Sequence, residues 1–337
     1  MSRIAVIGAG AWGTALSIVL GRTGEHRIKL WAYEAEVRER IRTTRTNARF
    51  LPDHRIPDCV APTGDFADAL EGAEIVVSVM PSQHCRGLFA QMATHLRPDM
   101  LVVSATKGLE QETLLRMTEV IGAVLGESRV RCPLGALSGP SFAAEVARGD
   151  PTAITIASEN DELALRVQRE FSDRAFRVYT HNDVVGVELG GALKNIIAIA
   201  AGVCHGLGLG HNTIAALVTR GLAEIARLAV ACGGQAETMA GLAGLGDLVL
   251  TSTGALSRNR SVGVALGSGR SLPEAIADMQ GRVAEGIFTT RAAVELAGAR
   301  GVEMPITEQM HAVLNQETSP REAIQALMTR TSKRENE

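Results

Sequence analysis

The chain has 337 residues, enough for two domains with cores of their own, with 46% hydrophobic and 21% charged residues and a formal net charge of −3. This balance argues against a disordered chain or a basic nucleic-acid binder. The five cysteines, an odd number with no C-x-x-C pair, argue against a disulfide framework and for a reduced, cytoplasmic setting.

The first predicted strand, "RIAVIG" from Arg3, runs directly into "GAGAWG", a G-x-G-x-x-G at Gly8, Gly10 and Gly13. An arginine followed by an apolar run resembles a secretory leader, but the three glycines break it and no small-residue cleavage site follows. A dinucleotide turn accounts for each glycine. Gly8 makes the tight bend, Gly10 lets the backbone approach a pyrophosphate, and Gly13 packs the next helix on the strand. Ala11 and Trp12 would then open that helix and join the cofactor site. The second strand, "RIKLWA" from Arg27, ends beside Tyr33 and Glu34. A carboxylate here suits the ribose hydroxyl of NAD, and Tyr33 could stack on adenine, so NAD is favoured over NADP. Arg38, Arg40, Arg42, Arg45 and Arg49 interleave with Glu34, Glu36 and Glu39, as on a solvated helix face, so no nucleic-acid partner is expected.

Further strands are predicted at "EIVVSVM" from Glu74, "MLVVSA" from Met100, "LGALSG" from Leu134, "TAITIAS" from Thr152 and "FRVYT" from Phe176. Alternation of apolar strands with helical stretches implies a Rossmann-type, mostly parallel sheet. In such sheets ligands bind beyond the carboxyl ends of the strands. Pro81, Lys107 and the Gly139-Pro140-Ser141 turn all follow strand ends, which makes them site candidates.

After His181 the strand signal stops, and helices are predicted over 184–202, 213–232, 261–266, 273–279, 289–299, 306–315 and 321–329. The division expected is a dinucleotide-binding domain over 1–182, an all-α substrate domain over 183–331 and a frayed tail over 332–337. No run reaches the roughly 20 unbroken apolar residues of a membrane span. No histidine or cysteine pattern suggests a metal. The first helix, "GGALKNIIAIAAG", has two glycines and a lone lysine, each unfavourable in a buried helix. At helical spacing Gly190, Gly191, Lys194, Asn195 and Ala198 form a small polar face. A partly buried lysine there, near an acid such as Asp247, could exchange a proton near neutral pH. Asp247 and Thr251 share a helical face in "GLGDLVLTST". In "SRNR", Ser257 would cap a helix whose first turn, with Arg258 and Asn259, could hold a phosphate.

With "GAGAWGTAL", "SATKGLE", "LSGPSFA", "ELGGALKNIIAIAAG", "GLGDLVLTST", "SRNR" and "VAEG" in this order along nearly the whole chain, the sequence resembles the NAD(P)-dependent glycerol-3-phosphate dehydrogenases of the bacterial type. The resemblance implies reversible reduction of dihydroxyacetone phosphate to sn-glycerol 3-phosphate for glycerophospholipid synthesis, by a cytoplasmic homodimer. It implies Lys194 as proton donor and acceptor, with Lys107, Asp247 and Thr251 beside it. It also implies Gly139, Ser141, Asn195, Ser257, Arg258 and Asn259 as substrate contacts, and Ala143, Val283 and Glu285 as cofactor contacts with Lys107 and Arg258. Many bacterial members carry consecutive arginines after "LWA", whereas Tyr33 and Glu34 stand here, as in NAD-linked eukaryotic members. A β-hydroxyacid or 6-phosphogluconate-type dehydrogenase is the alternative enzyme, although its G-x-x-x-K-x-x-N helix differs from "GGALKN". A non-catalytic NAD-binding protein is the alternative of another class.

Overall fold

A computed structural model describes residues 1–279, 283–332 and 334–335, so the expected frayed tail lies partly outside the described residues. The chain starts with β1 (Arg3–Ile7), α1 (Ala11–Gly21), β2 (Arg27–Trp31) and α2 (Ala35–Thr44). A hairpin of β3 (Thr46–Asn47) and β4 (Leu51–Arg55) follows, then β5 (Val60–Thr63) and α3 (Phe66–Leu70). Next come β6 (Ile75–Ser78), α4 (Cys85–Met92), β7 (Leu101–Ser104), α5 (Met117–Glu127), β8 (Leu134–Ser138) and α6 (Ala143–Arg148). This half ends with β9 (Thr152–Ala157), α7 (Asp161–Phe171) and β10 (Phe176–His181).

Eight strands form one sheet in the order β10-β9-β8-β7-β6-β1-β2-β5. Every pair is parallel except β8 with β9. Strand side chains alternate between two covered faces, which is why the strands read as unbroken apolar runs. Ile4, Val6, Ile75 and Val77 pack with α1 and α7, whereas Ala5, Ile7, Val76 and Val102 pack with α3, α4 and α5. All seven expected strands form. The unexpected β5 contains Pro62, which reads against a strand, but β5 is the sheet edge, where a missing N–H is tolerated.

The remaining helices are α8 (Val184–Gly206), α9 (His211–Ala231), α10 (Asp247–Thr253), α11 (Arg258–Gly267), α12 (Leu272–Ala277), α13 (Glu285–Arg300), α14 (Pro305–Leu314) and α15 (Pro320–Met328). By length and composition α8 could cross a membrane, but it is the core of this half and is buried from Gly186 to Cys204. The helix runs past the expected stop at Gly202, because that glycine is a packing device and not a cap. A Cβ on Gly202 would overlap the Arg260 carbonyl, and one on Gly263 the Ile199 carbonyl, so α8 and α11 meet backbone to backbone. The expected helix over 261–266 likewise starts earlier, at Arg258, where the Ser257 hydroxyl accepts from the Arg260 N–H.

Candidate active site

The parallel strands bring several loops to one edge of the sheet. After β1, Gly8 has φ +122°, and a Cβ there would overlap the Val79 carbonyl. A Cβ on Gly13 would overlap the Gly8 carbonyl, whereas Gly10 faces open space. No side chain caps α1, so the backbone N–H groups at Ala11 and Trp12 begin a helix without a partner from its own cap residue. The Trp12 indole N–H is itself buried and unpaired. These are features that a dinucleotide's diphosphate fits, with Gly10 leaving the backbone bare. Asn47, which no local pattern marks, fixes the turn by donating to the Ala9 carbonyl (2.8 Å) and to Thr14 Oγ1 (2.9 Å).

At the end of β2, Tyr33 is exposed and Glu34 is the half-buried residue before α2. Arg38 comes to the same place, donating to the carbonyls of Ala32 (2.7 Å) and Tyr33 (2.8 Å). These residues stand at the end of β2, apart from the buried polar cluster that lies past β7 and β8.

In that cluster Lys107 Nζ donates to Asp247 Oδ2 (2.6 Å) and to the Gly139 carbonyl (3.2 Å). Lys194 Nζ donates to Asp247 Oδ1 and to Thr251 Oγ1 (2.7 Å). Asp247 is 1% exposed and Lys194 6%, so two ammonium groups share one buried carboxylate. The glycines of α8 make this possible. A Cβ on Gly190 would crowd the Ala243 carbonyl, and one on Gly191 would overlap Ser138 Oγ of β8. Their absence lets α8 press against the end of β8 and the turn before α10, which seats Lys194 on Asp247. The lysine is more deeply buried than its sequence suggests, since all faces of α8 are covered. Burial lowers the Lys194 pKa to about 7; the Asp247 charge opposes this and the Lys107 charge adds to it.

Around the cluster, Asn259 Nδ2 donates to Asn195 Oδ1 (2.9 Å), and Asn259 Oδ1 accepts from the Gly286 N–H (2.9 Å). These bonds join α8, α11 and α13. Glu285, first in α13, accepts from the Ser82 N–H (3.1 Å) and hydroxyl (2.5 Å), just past Pro81 and β6. Burial pushes the Glu285 carboxyl up, against the bonds from Ser82. Val283 is half-buried two residues earlier. Gly139 has φ +141° and no room for a Cβ beside Ile154, and its carbonyl accepts from the Ser141 hydroxyl (2.9 Å). Ala143 begins α6 and packs on the core beneath the glycine turn. Arg258 is exposed at the first position of α11, and Ser257 is buried as its cap. Thus Lys107, Lys194, Asp247, Thr251 and Gly139 form one bonded cluster, and Asn195 and Asn259 form another. Met80, Pro81 and Ser82 stand out in the sequence as residues at a strand end, but the partner of Ser82, 203 positions away, is shown only by the structure.

A Gly-rich turn at the carboxyl edge of a doubly wound sheet, facing a buried lysine–carboxylate cluster on an all-helical half, defines a nicotinamide-dinucleotide-dependent dehydrogenase. Family models for the N-terminus and the C-terminus of NAD-dependent glycerol-3-phosphate dehydrogenase match residues 3–164 and 183–325. The chain is 67% identical over 332 residues to the glycerol-3-phosphate dehydrogenase (NAD(P)+) of Koribacter versatilis, covering 98% of each chain. It is 56% identical over 338 residues to that of Acidobacterium capsulatum, covering 99% of this chain and 100% of the other. The crystal structure of glycerol-3-phosphate dehydrogenase from Coxiella burnetii superposes with a TM-score of 0.93 at 40% identity, covering 98% of this chain and 99% of the other. The chain belongs to the NAD-dependent glycerol-3-phosphate dehydrogenase family.

Proposed function

We propose that this chain reduces dihydroxyacetone phosphate reversibly to sn-glycerol 3-phosphate, with Lys194 as the proton donor and acceptor. The observation that carries the reading is the Lys194–Asp247–Lys107 cluster at the cofactor edge of the sheet. The nicotinamide, when bound, supplies or accepts the hydride at the substrate's carbinol carbon. Gly8, Gly10, Ala11, Trp12 and Gly13 hold its diphosphate, and Pro81, Lys107, Ala143, Arg258, Val283 and Glu285 line the rest of its path.

The chain's own work is proton transfer and charge. Carbonyl reduction leaves an alkoxide, and Lys194, acidic near neutrality, donates to that oxygen. Asp247 keeps a proton on Lys194 by its charge, and Thr251 holds the amine's orientation. Lys107, bonded to the same carboxylate, stabilises the developing negative oxygen. Gly139, Ser141, Asn195 and Asn259 form the wall around the substrate. Residues 1–182 serve as the cofactor domain and 183–331 as the substrate domain. All five cysteines are free, which supports a cytoplasmic setting. Self-association as a homodimer is part of the same reading. The product enters glycerophospholipid synthesis.

The first test, followed by nicotinamide absorbance, is NADH and NADPH oxidation with dihydroxyacetone phosphate and, separately, NAD and NADP reduction with 6-phosphogluconate. Turnover with the first substrate alone supports the reading. Turnover with neither, despite cofactor binding, would favour a non-catalytic NAD-binding protein.

Arg258, with the first turn of α11 and its cap Ser257, is the phosphate site of this reading. A charged hydrogen bond is worth about 1.5–3 kcal/mol, so Arg258→Ala is expected to raise KM for dihydroxyacetone phosphate about ten- to a hundredfold. The weak activity on unphosphorylated dihydroxyacetone should stay unchanged, and equal losses on both substrates would move Arg258 out of the phosphate site.

Glu34 gives a preference for NADH, because its carboxylate accepts from a ribose 2′-hydroxyl and repels a 2′-phosphate. Arg38, beside it under Tyr33, keeps NADPH usable. About 4 kcal/mol is the upper bound for one charge pair at an effective dielectric near 20, and solvent at this rim reduces it several-fold. The expected kcat/KM ratio is therefore about tenfold to a hundredfold in favour of NADH, and Glu34→Arg should reverse it. A wild type that prefers NADPH, or a ratio unmoved by Glu34→Arg, would leave Glu34 with no part in cofactor choice.

A further inference from the structure

We propose that Glu188 is a positioning residue that holds Lys107 against the Lys194–Asp247 pair by anchoring the far end of the Lys107 loop to α8; the inference rests on the reading of Lys194 as the proton donor. Glu188 lies on α8, six residues before Lys194, and is 8% exposed. Its carboxylate accepts from the Thr118 N–H (2.9 Å), the Thr118 hydroxyl (2.5 Å) and Arg116 Nη1 (2.5 Å) at the start of α5. A buried carboxylate spent on another element's first turn is a joint between the two halves of the chain.

The joint reaches the catalytic cluster through backbone. Arg116 pairs with Leu109 in an isolated antiparallel bridge, and Glu110 N–H donates to the Leu115 carbonyl (3.0 Å). Lys107 is two residues before Leu109, and Leu109 is fully buried in the core of the helical half. The contacts therefore close a ring. Lys107 leads by its loop to Arg116, Arg116 to Glu188, Glu188 along α8 to Lys194, and both lysines meet on Asp247. A second clamp, Arg86 bonded through Nε and Nη2 to both oxygens of Glu110 (2.9 and 2.7 Å), fixes the loop's middle but ties it only to α4. Glu188 is the member of this set that connects the loop to the helix of Lys194.

The ring matters because the Lys107 charge is one of the forces that keep Lys194 acidic. The charges that act on Lys194 are Asp247 from α10 and Lys107 from the loop after β7. Other acids on elements packed against α8 are engaged elsewhere. Glu224 of α9 accepts from the N–H groups of Ile306 (2.7 Å) and Thr307 (3.2 Å), and Glu285 of α13 is bonded to Ser82. Arg258 opens α11 at the surface, and its charge lowers the pKa of Glu285. Loosening the Lys107 loop therefore removes one cation from beside Lys194 and leaves the anion in place, so the Lys194 pKa rises.

The test measures the pH profile of kcat/KM for dihydroxyacetone phosphate reduction, with NADH affinity and Tm, in wild type, Glu188→Gln, Arg116→Met and Thr118→Val. Arg116 carries the loop connection and is partly exposed, so Arg116→Met can fold even where Glu188→Gln does not. Both are expected to move the midpoint up by at least about half a pH unit, roughly a threefold change in proton affinity. They should lower kcat several-fold and leave NADH binding unchanged. Thr118→Val removes a bond at the start of α5 but leaves Arg116 on Glu188, so it should lower Tm with the midpoint in place. Unmoved midpoints in both Glu188→Gln and Arg116→Met, or the same shift in all three variants, would overturn the inference while wild-type turnover with a near-neutral midpoint left the function intact. Absence of wild-type turnover would instead overturn the reading of function.

Discussion

Lys194→Ala is expected to lower kcat for dihydroxyacetone phosphate reduction by about 10²-fold or more, since a positioned general acid is worth roughly 10²–10⁴. The amine contacts Asp247 and Thr251 within the polar cluster, and the glycine turn proposed for the cofactor is built without it. NADH affinity should therefore change little. Removing a buried ammonium also leaves Asp247 paired with Lys107, so the protein should fold and its Tm should not collapse. Isothermal titration with NADH beside steady-state kinetics separates the two effects. A near wild-type kcat would remove Lys194 from the chemistry.

Asp247→Asn should be the second large effect, and its direction depends on pH. The Asp247 charge raises the Lys194 pKa against burial and against Lys107. Without it, Lys194 becomes still more acidic and is neutral at pH 7, unable to donate. Reduction at pH 7 should fall by at least about tenfold, with activity recovering towards acid pH as the amine is protonated. Breaking a buried pair costs about 3–5 kcal/mol when the remaining charge stays. Here Lys194 escapes part of that by losing its proton. In the variant the unfolded chain binds more protons than the folded one between the lowered pKa and an ordinary lysine's. Stability must therefore rise with pH through that window, which opens at a lower pH than in wild type. Tm measured from acid to alkaline pH checks this, and a flat Tm difference would mean that Lys194 is not forced to deprotonate.

The sequence reveals those parts of the site whose geometry is local. The Gly8-Gly10-Gly13 turn, the Ser257 cap and the Asp247–Thr251 face each lie within a few residues, and backbone rules alone place them. The alternation of apolar strands likewise reveals the sheet. What was hidden depends on distant neighbours. Asn47 holds the carbonyl of Ala9 38 positions away, Ser82 meets Glu285, and Glu188 reaches Thr118 across 70 positions. No periodicity records such pairs. Gly202 read as a helix stop because a glycine's missing side chain serves a cap and a close helix crossing equally well, and only α11 distinguishes them. The meeting of Lys194 with Asp247, 53 positions apart, is suggested by a lone lysine's need for a counter-charge, and the structure supplies it together with the expected Lys107, which shares the same carboxylate.

A buried, acidified Lys194 that carries the proton of a glycerol-3-phosphate dehydrogenase has a signature in the pH dependence of both directions. The most direct measurement is kcat/KM against pH in both directions, dihydroxyacetone phosphate with NADH and sn-glycerol 3-phosphate with NAD. Reduction needs the protonated amine and oxidation the neutral one. With Lys194 in that role, reduction is expected to fall and oxidation to rise through a shared midpoint at about 7, the value to which burial lowers Lys194. Profiles that rise and fall together, or a shared midpoint in the range of an ordinary lysine, would contradict it.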